Sequence, residues 1–165
     1  MYPDKFENLD TLRKYLVENI QYDQNNGFSF ANIKLKTNFD EVITILGKPE
    51  IMNLESDQQQ TLQYNALIDH PSEGIREHHR LNLLFWAFNR KPFKIIKLHF
   101  NYFNYGVYSG TLKEFIDEFL NEIISKFGKP KKKTHRMGKE EVLYDTNGHK
   151  LSIWGNSEGI RVTLK

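Results

Sequence analysis

The stretch ITILGKP at residues 43–49 recurs in related form as ISKFGKP at residues 124–130. Each stretch closes a run of apolar residues at helical spacing, so each predicts the end of a helix. The glycine can adopt the left-handed conformation that caps a helix, and the proline two residues later cannot continue one. The two stretches therefore divide the sequence into halves that we expect to begin alike, each with a helix.

Apolar residues at intervals of three and four predict three amphipathic helices in all. The first begins within residues 8–10. In the second, Thr37 and Asp40 form a variant of the capping box, and in the third, Thr111 and Glu114 form a complete one. The first helix therefore precedes the pair of related halves, and the second and third open them.

Three strands are predicted to follow the helix in each half, from runs of β-branched and aromatic residues bounded by turn residues. Two residues recur at matching places in these strands, since Tyr64 matches Tyr144 and Trp86 matches Trp154. In the last strand, residues 95–98 match residues 160–163. The predicted strands are 61–67, 81–88 and 93–100 in the first half, and 141–145, 150–154 and 159–164 in the second.

We therefore predict an α+β fold built from two repeats, each a helix followed by a three-stranded antiparallel meander, with the helices packed on one sheet face. Residues 1–104 would hold the N-terminal helix and the first repeat, and residues 105–165 the second, in one compact unit. Coincidence is the alternative, because helix C-termini often carry glycine followed by proline.

A helix that ends in Leu/Phe-Gly-Lys-Pro and leads into such a meander resembles the tandem repeat of β-lactamase inhibitor proteins. The same unit occurs singly in the small lipoprotein of the outer-membrane β-barrel assembly machinery. The resemblance covers roughly residues 37–100 and 111–165 of this chain. It implies that this chain, like members of that group, binds another protein on its sheet.

Strand alternation assigns a candidate binding face to the predicted sheet. If Leu151 and Ile153 face the helices, Trp154 faces the other way, and the repeat puts Trp86 beside it. Tryptophan with arginine is typical of interface anchors. The alternative is that each tryptophan is buried where the halves pack. The predicted partner-binding residues are Leu84, Trp86, Phe88, Lys97, His99, Trp154, Arg161 and Thr163.

A basic run over Lys129–Arg136 supports a second hypothesis, nucleic-acid binding, together with four aromatic residues within 102–108. Two facts weigh against it. The run follows a helix C-terminus, where cations are favourable in any protein, and the net charge of the chain is only +2. We therefore expect a protein partner, possibly a toxin domain inhibited by an immunity or antitoxin-like protein, and regard nucleic acid as the alternative.

Catalytic motifs are missing from the sequence: it has no nucleophile elbow, phosphate loop or dinucleotide fingerprint. We therefore expect no enzyme activity and no cofactor, although a site of unfamiliar type near Tyr64 or residues 70–79 stays a third hypothesis. His78 and His79 are adjacent and would diverge in a strand, so no metal site is predicted. The chain has no cysteine, and we read no signal peptide and no membrane span, so we expect a cytoplasmic location.

Overall fold

Three helices and two sheets make up the part of the chain that the computed structural model describes, namely residues 1–53, 60–70, 74–87, 95–101, 110–156 and 159–165. For residues 60, 70, 74–80, 84–87, 95–101 and 110–112 it describes the backbone alone. The helices are α1 (Leu9–Asn19), α2 (Phe39–Leu46) and α3 (Gly110–Phe127). The strands are β1 (Lys5–Phe6), β2 (Ile20–Asp23), β3 (Gly27–Phe30), β4 (Ile33–Lys34), β5 (Ile51–Asn53), β6 (Gln60–His70), β7 (Gly74–Ala87), β8 (Ile95–Asn101), β9 (Lys132–Arg136), β10 (Lys139–Thr146), β11 (His149–Asn156) and β12 (Gly159–Leu164).

The helix ends follow from local side-chain chemistry. At α1, the Asn8 side chain accepts a hydrogen bond from the backbone N–H of Thr11, and the Thr11 hydroxyl accepts one from Asn8 in return. At α2 the predicted cap was wrong by one residue. Asn38, not Thr37, accepts from the Glu41 N–H, at 2.8 Å. Thr37 is instead buried, and its own N–H donates to the Lys34 carbonyl to close the preceding turn.

The larger sheet has nine strands in the described residues, and its main path runs β1-β6-β7-β8-β12-β11-β10-β9, with β5 also paired to β6. All neighbours are antiparallel except β1 and β6. The strands that follow α2 and those that follow α3 meet at the pairing of β8 with β12. The prediction of an α+β protein is confirmed, and a separate sheet, β2-β3-β4, is added to it.

In the described residues each Gly-Lys-Pro stretch is followed by four strands, not the predicted three. The additional strands are β5 and β9. β5 is only three residues long, and β9 has the sequence KKTHR with no large apolar residue. Neither has the alternating hydrophobicity by which strands are recognised. β9 also ends the sheet path, and lysine is common on edge strands because it discourages pairing with other chains.

One face of the larger sheet forms the core with the helices. Phe127 of α3 contacts Tyr144 edge-on, with the ring centroids 5.9 Å apart. The Tyr2 ring contacts both Tyr15 of α1 and Tyr64 of the sheet. The sheet residues of this core are 5% exposed or less: Leu62, Tyr64, Ala66, Ile68, Leu81, Leu83, Val142, Tyr144, Leu151, Ile153, Ile160, Val162 and Leu164. Because they alternate along each strand, the residues between them belong to the opposite face.

Arg13 joins the first helix to the third. Its guanidinium bonds Glu118 and Glu122 of α3 as well as Asp10 of its own helix. The Arg13 Nε to Glu122 Oε1 distance is 2.9 Å, and only 15% of the arginine side chain is exposed. This network ties residues near the start of the chain to the second half.

One hydrogen bond recurs at corresponding places in the two halves. The Tyr64 hydroxyl donates to the Gly47 carbonyl, and the Tyr144 hydroxyl donates to the Gly128 carbonyl, each at 2.8 Å. Burial raises the pKa of Tyr64 to about 12 and raises that of Tyr144, so both phenols keep the proton they donate at neutral pH. Each tyrosine therefore fastens the second strand of its half to the end of the preceding helix.

The strand register corrects the matching of the last strands. Tyr64 lies opposite Leu83, which lies opposite Leu98, and in the second half Tyr144, Leu151 and Leu164 form the same series. If Tyr64 and Tyr144 are equivalent, Leu98 is equivalent to Leu164, and residues 95–98 match 161–164 and not 160–163. Sequence similarity could not fix this register, because both strands are short apolar runs.

Gly27 provides a stability prediction. It begins β3 with φ +76°, and a Cβ atom built there would lie 2.3 Å from His149 Nδ1. We expect Gly27→Ala to lower the free energy of unfolding by about 2 kcal/mol or more, from backbone strain and the clash together. Gly148→Ala is the control, because Gly148 has φ +82° with nothing within 4 Å. It should cost only about 1 kcal/mol in urea unfolding. Equal losses would mean that the His149 ring moves aside freely.

Candidate functional site

The open face, as we call the face of the larger sheet opposite the helices, carries the predicted partner-binding positions that lie in described residues. Strand register arranges them in rows across the sheet. One row is Glu141, Trp154, Arg161, His99, Asn82 and Asn65, and the next is Ser152, Thr163, Lys97, Leu84 and Gln63. Trp86 lies between Thr61 and Ile95 in a third. Phe88 lies outside the described residues. For Leu84, Trp86, Lys97 and His99 the backbone alone defines these positions.

Trp154 lies among cationic side chains on the open face. It lies on β11 directly opposite Arg161 of β12, whose guanidinium carbon is 4.5 Å from the ring centroid. Lys139 of β10 places its Nζ 4.6 Å from the same centroid. Such cation–π contacts each contribute about 0.5–1 kcal/mol at partly exposed sites. The indole is thus held between cations from both neighbouring strands, while the residue stays partly exposed.

The middle of the open face is less accessible than the prediction assumed. Thr163 is only 8% exposed and Asn82 only 7%, although neither lies on the helix side of the sheet. The Asn82 side-chain oxygen is also buried without a hydrogen-bond partner in the described residues. Thr163 therefore offers little surface to a partner, whereas Trp154 and Arg161 are partly exposed.

A cleft of about 820 Å³ opens next to Trp154 on the same face. Sequence reasoning missed it, because it is formed by the β9–β10 hairpin and β9 was not predicted. The cross-strand neighbours Thr134, Glu141 and Trp154 run from the cleft to the indole. The cleft is lined by Lys132, Thr134, Arg136, Met137, Gly138, Lys139, Glu141 and Asn156.

The basic run of residues 129–136 is divided between the two faces of β9. Lys132 and Arg136 line the cleft, whereas Lys133 and His135 line a separate groove beside α3. Lys131 pairs with Asp145 at 2.8 Å, and this hydrogen bond lowers the pKa of the Asp145 carboxyl. The run therefore does not present one continuous basic surface of the kind that tracks a nucleic-acid backbone.

Tyr64 was named above as part of a possible catalytic site of unfamiliar type. In the structure its hydroxyl donates a hydrogen bond to the Gly47 carbonyl at the end of α2. His78 and His79 lie within β7. In the described part of the chain no three His, Cys, Asp or Glu residues are placed to hold a metal ion.

Comparison of this chain with family models, with curated proteins and with solved structures found no match. The resemblance to β-lactamase inhibitor proteins therefore rests on the sequence motifs, and stays a prediction. None of the helices in the described residues is long and apolar enough to cross a membrane.

Proposed function

We propose that this chain is a cytoplasmic protein-binding module, of the immunity or antitoxin type, that inhibits a partner protein by covering it with the open face. The observation that carries the proposal is the partly exposed Trp154, held between Lys139 and Arg161 on a sheet face that the described helices do not cover. Tryptophan and arginine side by side are the residues most enriched among binding hot spots.

We further propose that the protein is a tandem repeat of two helix-plus-sheet units. The recurring tyrosine-to-glycine hydrogen bonds support it, since Tyr64 and Tyr144 reach equivalent carbonyls. The sheet register supports it too. Lys97 pairs with Thr163, which would be its equivalent in the second repeat, and the strand pair on one side of them is equivalent to the pair on the other side. Such a sheet would place strands from both repeats in one surface.

The repeat makes a prediction about the paired tyrosines. Tyr64→Phe and Tyr144→Phe each remove a hydroxyl that donates a hydrogen bond, so each should lower the free energy of unfolding by about 1 kcal/mol. Tyr22→Phe is the matched control, because its buried hydroxyl has no partner among the described residues. That substitution should be neutral or slightly stabilising. Urea unfolding measures the free energy for all three variants. Clearly unequal losses for Tyr64→Phe and Tyr144→Phe would count against equivalent roles of the two tyrosines.

The direct test of the proposed function is complex formation with the product of the gene adjacent to this one. The two purified proteins should form a stable complex by size-exclusion chromatography, and Trp154→Ala should weaken it. Lys133→Ala is the control, because Lys133 lies on the other side of β9 from the cleft. Failure to bind the products of neighbouring genes or a secreted toxin would weigh heavily against an immunity function.

Nucleic-acid binding through residues 129–136 has a separate test. It predicts a gel shift that appears at low salt and fades as salt rises, because bound phosphates release their counterions. The absence of any shift at low salt would remove this alternative.

A further inference from the structure

The cleft beside Trp154 has an unbalanced set of charges. Three cationic side chains, Lys132, Arg136 and Lys139, line it against the single carboxylate of Glu141. Arg161 adds a fourth cation at the indole next to the cleft. A concave surface with this excess of one sign attracts and retains ligands of the opposite sign.

These cations also have no carboxylate partners within the part of the chain that the structure describes. In the described residues no ion pair involves any of the four, whereas nearby Lys131 pairs with Asp145 and the His135 ring bonds the Glu140 carboxylate. The contrast is sharpest along β9, where Lys132 and Arg136 line the cleft but His135, between them in sequence, pairs with Glu140 outside it. Lys133 is likewise in no ion pair among the described residues but lies outside the cleft, so Lys132, Arg136 and Lys139 are the cations that a ligand in the cleft would meet.

We propose that the cleft binds an extended acidic polypeptide segment, supplied by the partner protein; the identity of that partner rests on the function proposed above. In a strand, residues four apart lie about 13 Å from each other. Lys132 and Arg136 therefore match carboxylates four residues apart on one side of an extended segment. Aspartate or glutamate side chains engage them, and the segment continues over Trp154.

Glu141 favours a polypeptide over a nucleic acid as the occupant. Its carboxylate lies in the row between Thr134 and Trp154, where it repels phosphate but accepts hydrogen bonds from peptide N–H groups. A nucleic-acid backbone offers a continuous line of negative charge at that point, whereas an extended polypeptide offers both donors and acceptors.

The test uses a fluorescein-labelled peptide of alternating glutamate and serine, measured by fluorescence anisotropy at low salt, with the unmodified full chain. The peptide should bind, and a peptide of alternating lysine and serine should not. Lys132→Glu should weaken binding of the acidic peptide by about tenfold or more. Lys133→Glu carries the same change of charge on the neighbouring residue, outside the cleft, and should change it by less than about twofold.

Three results would overturn the proposal: no binding of the acidic peptide at roughly millimolar concentration, equal effects of the two lysine substitutions, or tighter binding of single-stranded DNA of equal charge. Because the assay needs no partner, its failure leaves the proposed protein-binding function standing. The partner complex also separates the protein-binding function from the proposed role of the cleft. A complex that is lost in Trp154→Ala but kept in Lys132→Glu would support the function and contradict the role of the cleft.

Discussion

Trp154→Ala is expected to weaken binding of the partner by about 2 kcal/mol or more, which is about a 30-fold rise in Kd. The ring is the only aromatic group that the described residues of the open face hold between two cations, and its removal leaves Lys139 and Arg161 without their shared contact. The free energy of unfolding should fall by only about 1 kcal/mol, since the residue is partly exposed. Isothermal titration and urea unfolding measure the two effects separately.

Trp86→Ala completes this experiment, because the proposed repeat makes Trp86 the equivalent of Trp154 in the first half. Burial of the tryptophans in a core would instead cost about 3–5 kcal/mol of stability for each substitution. If both variants are destabilised to that extent, the open face is not a binding face. Trp154→Phe keeps an aromatic ring and should retain part of the affinity.

Phe119→Ala should have the largest effect on stability, a loss of about 3–5 kcal/mol. Phe119 lies in α3, is completely buried, and stacks on Phe115 with the ring centroids 6.4 Å apart. Truncation leaves a cavity at the point where the helix covers the sheet. Chemical denaturation should show the loss as an earlier transition midpoint.

Ser125→Ala is the control for that experiment, because Ser125 is exposed on the same helix. It should change the free energy of unfolding by less than about 0.5 kcal/mol. A loss below about 1.5 kcal/mol for Phe119→Ala would mean that the neighbouring side chains collapse into the space, or that the packing of α3 contributes little.

The elements predicted from sequence were those whose signal is local. The period of apolar residues located α3, and its end at Phe127 follows from Gly128 and Pro130. Strand alternation assigned Trp154 and Arg161 to the side of the sheet away from the helices, and the register agrees, because a period of two leaves one choice of face once Leu151 is buried.

The parts that could not be predicted depend on tertiary structure. β9 is a strand because Lys139–Leu143 of β10 offers it a pairing partner, not because its own residues favour one. The basic cleft depends on that pairing, so the sequence indicated only a run of charge. The burial of Thr163 could not be predicted either, because the alternation of side chains along a strand indicates the face on which a residue lies but not what covers that face.

The Arg13 network has a consequence for the order in which the chain is made. Its bonds to Glu118 and Glu122 join residues 105 and 109 positions apart. On the ribosome, α1 emerges long before the helix that supplies these carboxylates, so the first helix cannot complete its contacts until most of the polypeptide has been synthesised. Contacts this distant in sequence slow folding, because the intervening loop must close before they form. A nascent chain that ends before α3 should therefore remain sensitive to protease around α1, and acquire protection only as the last third is added.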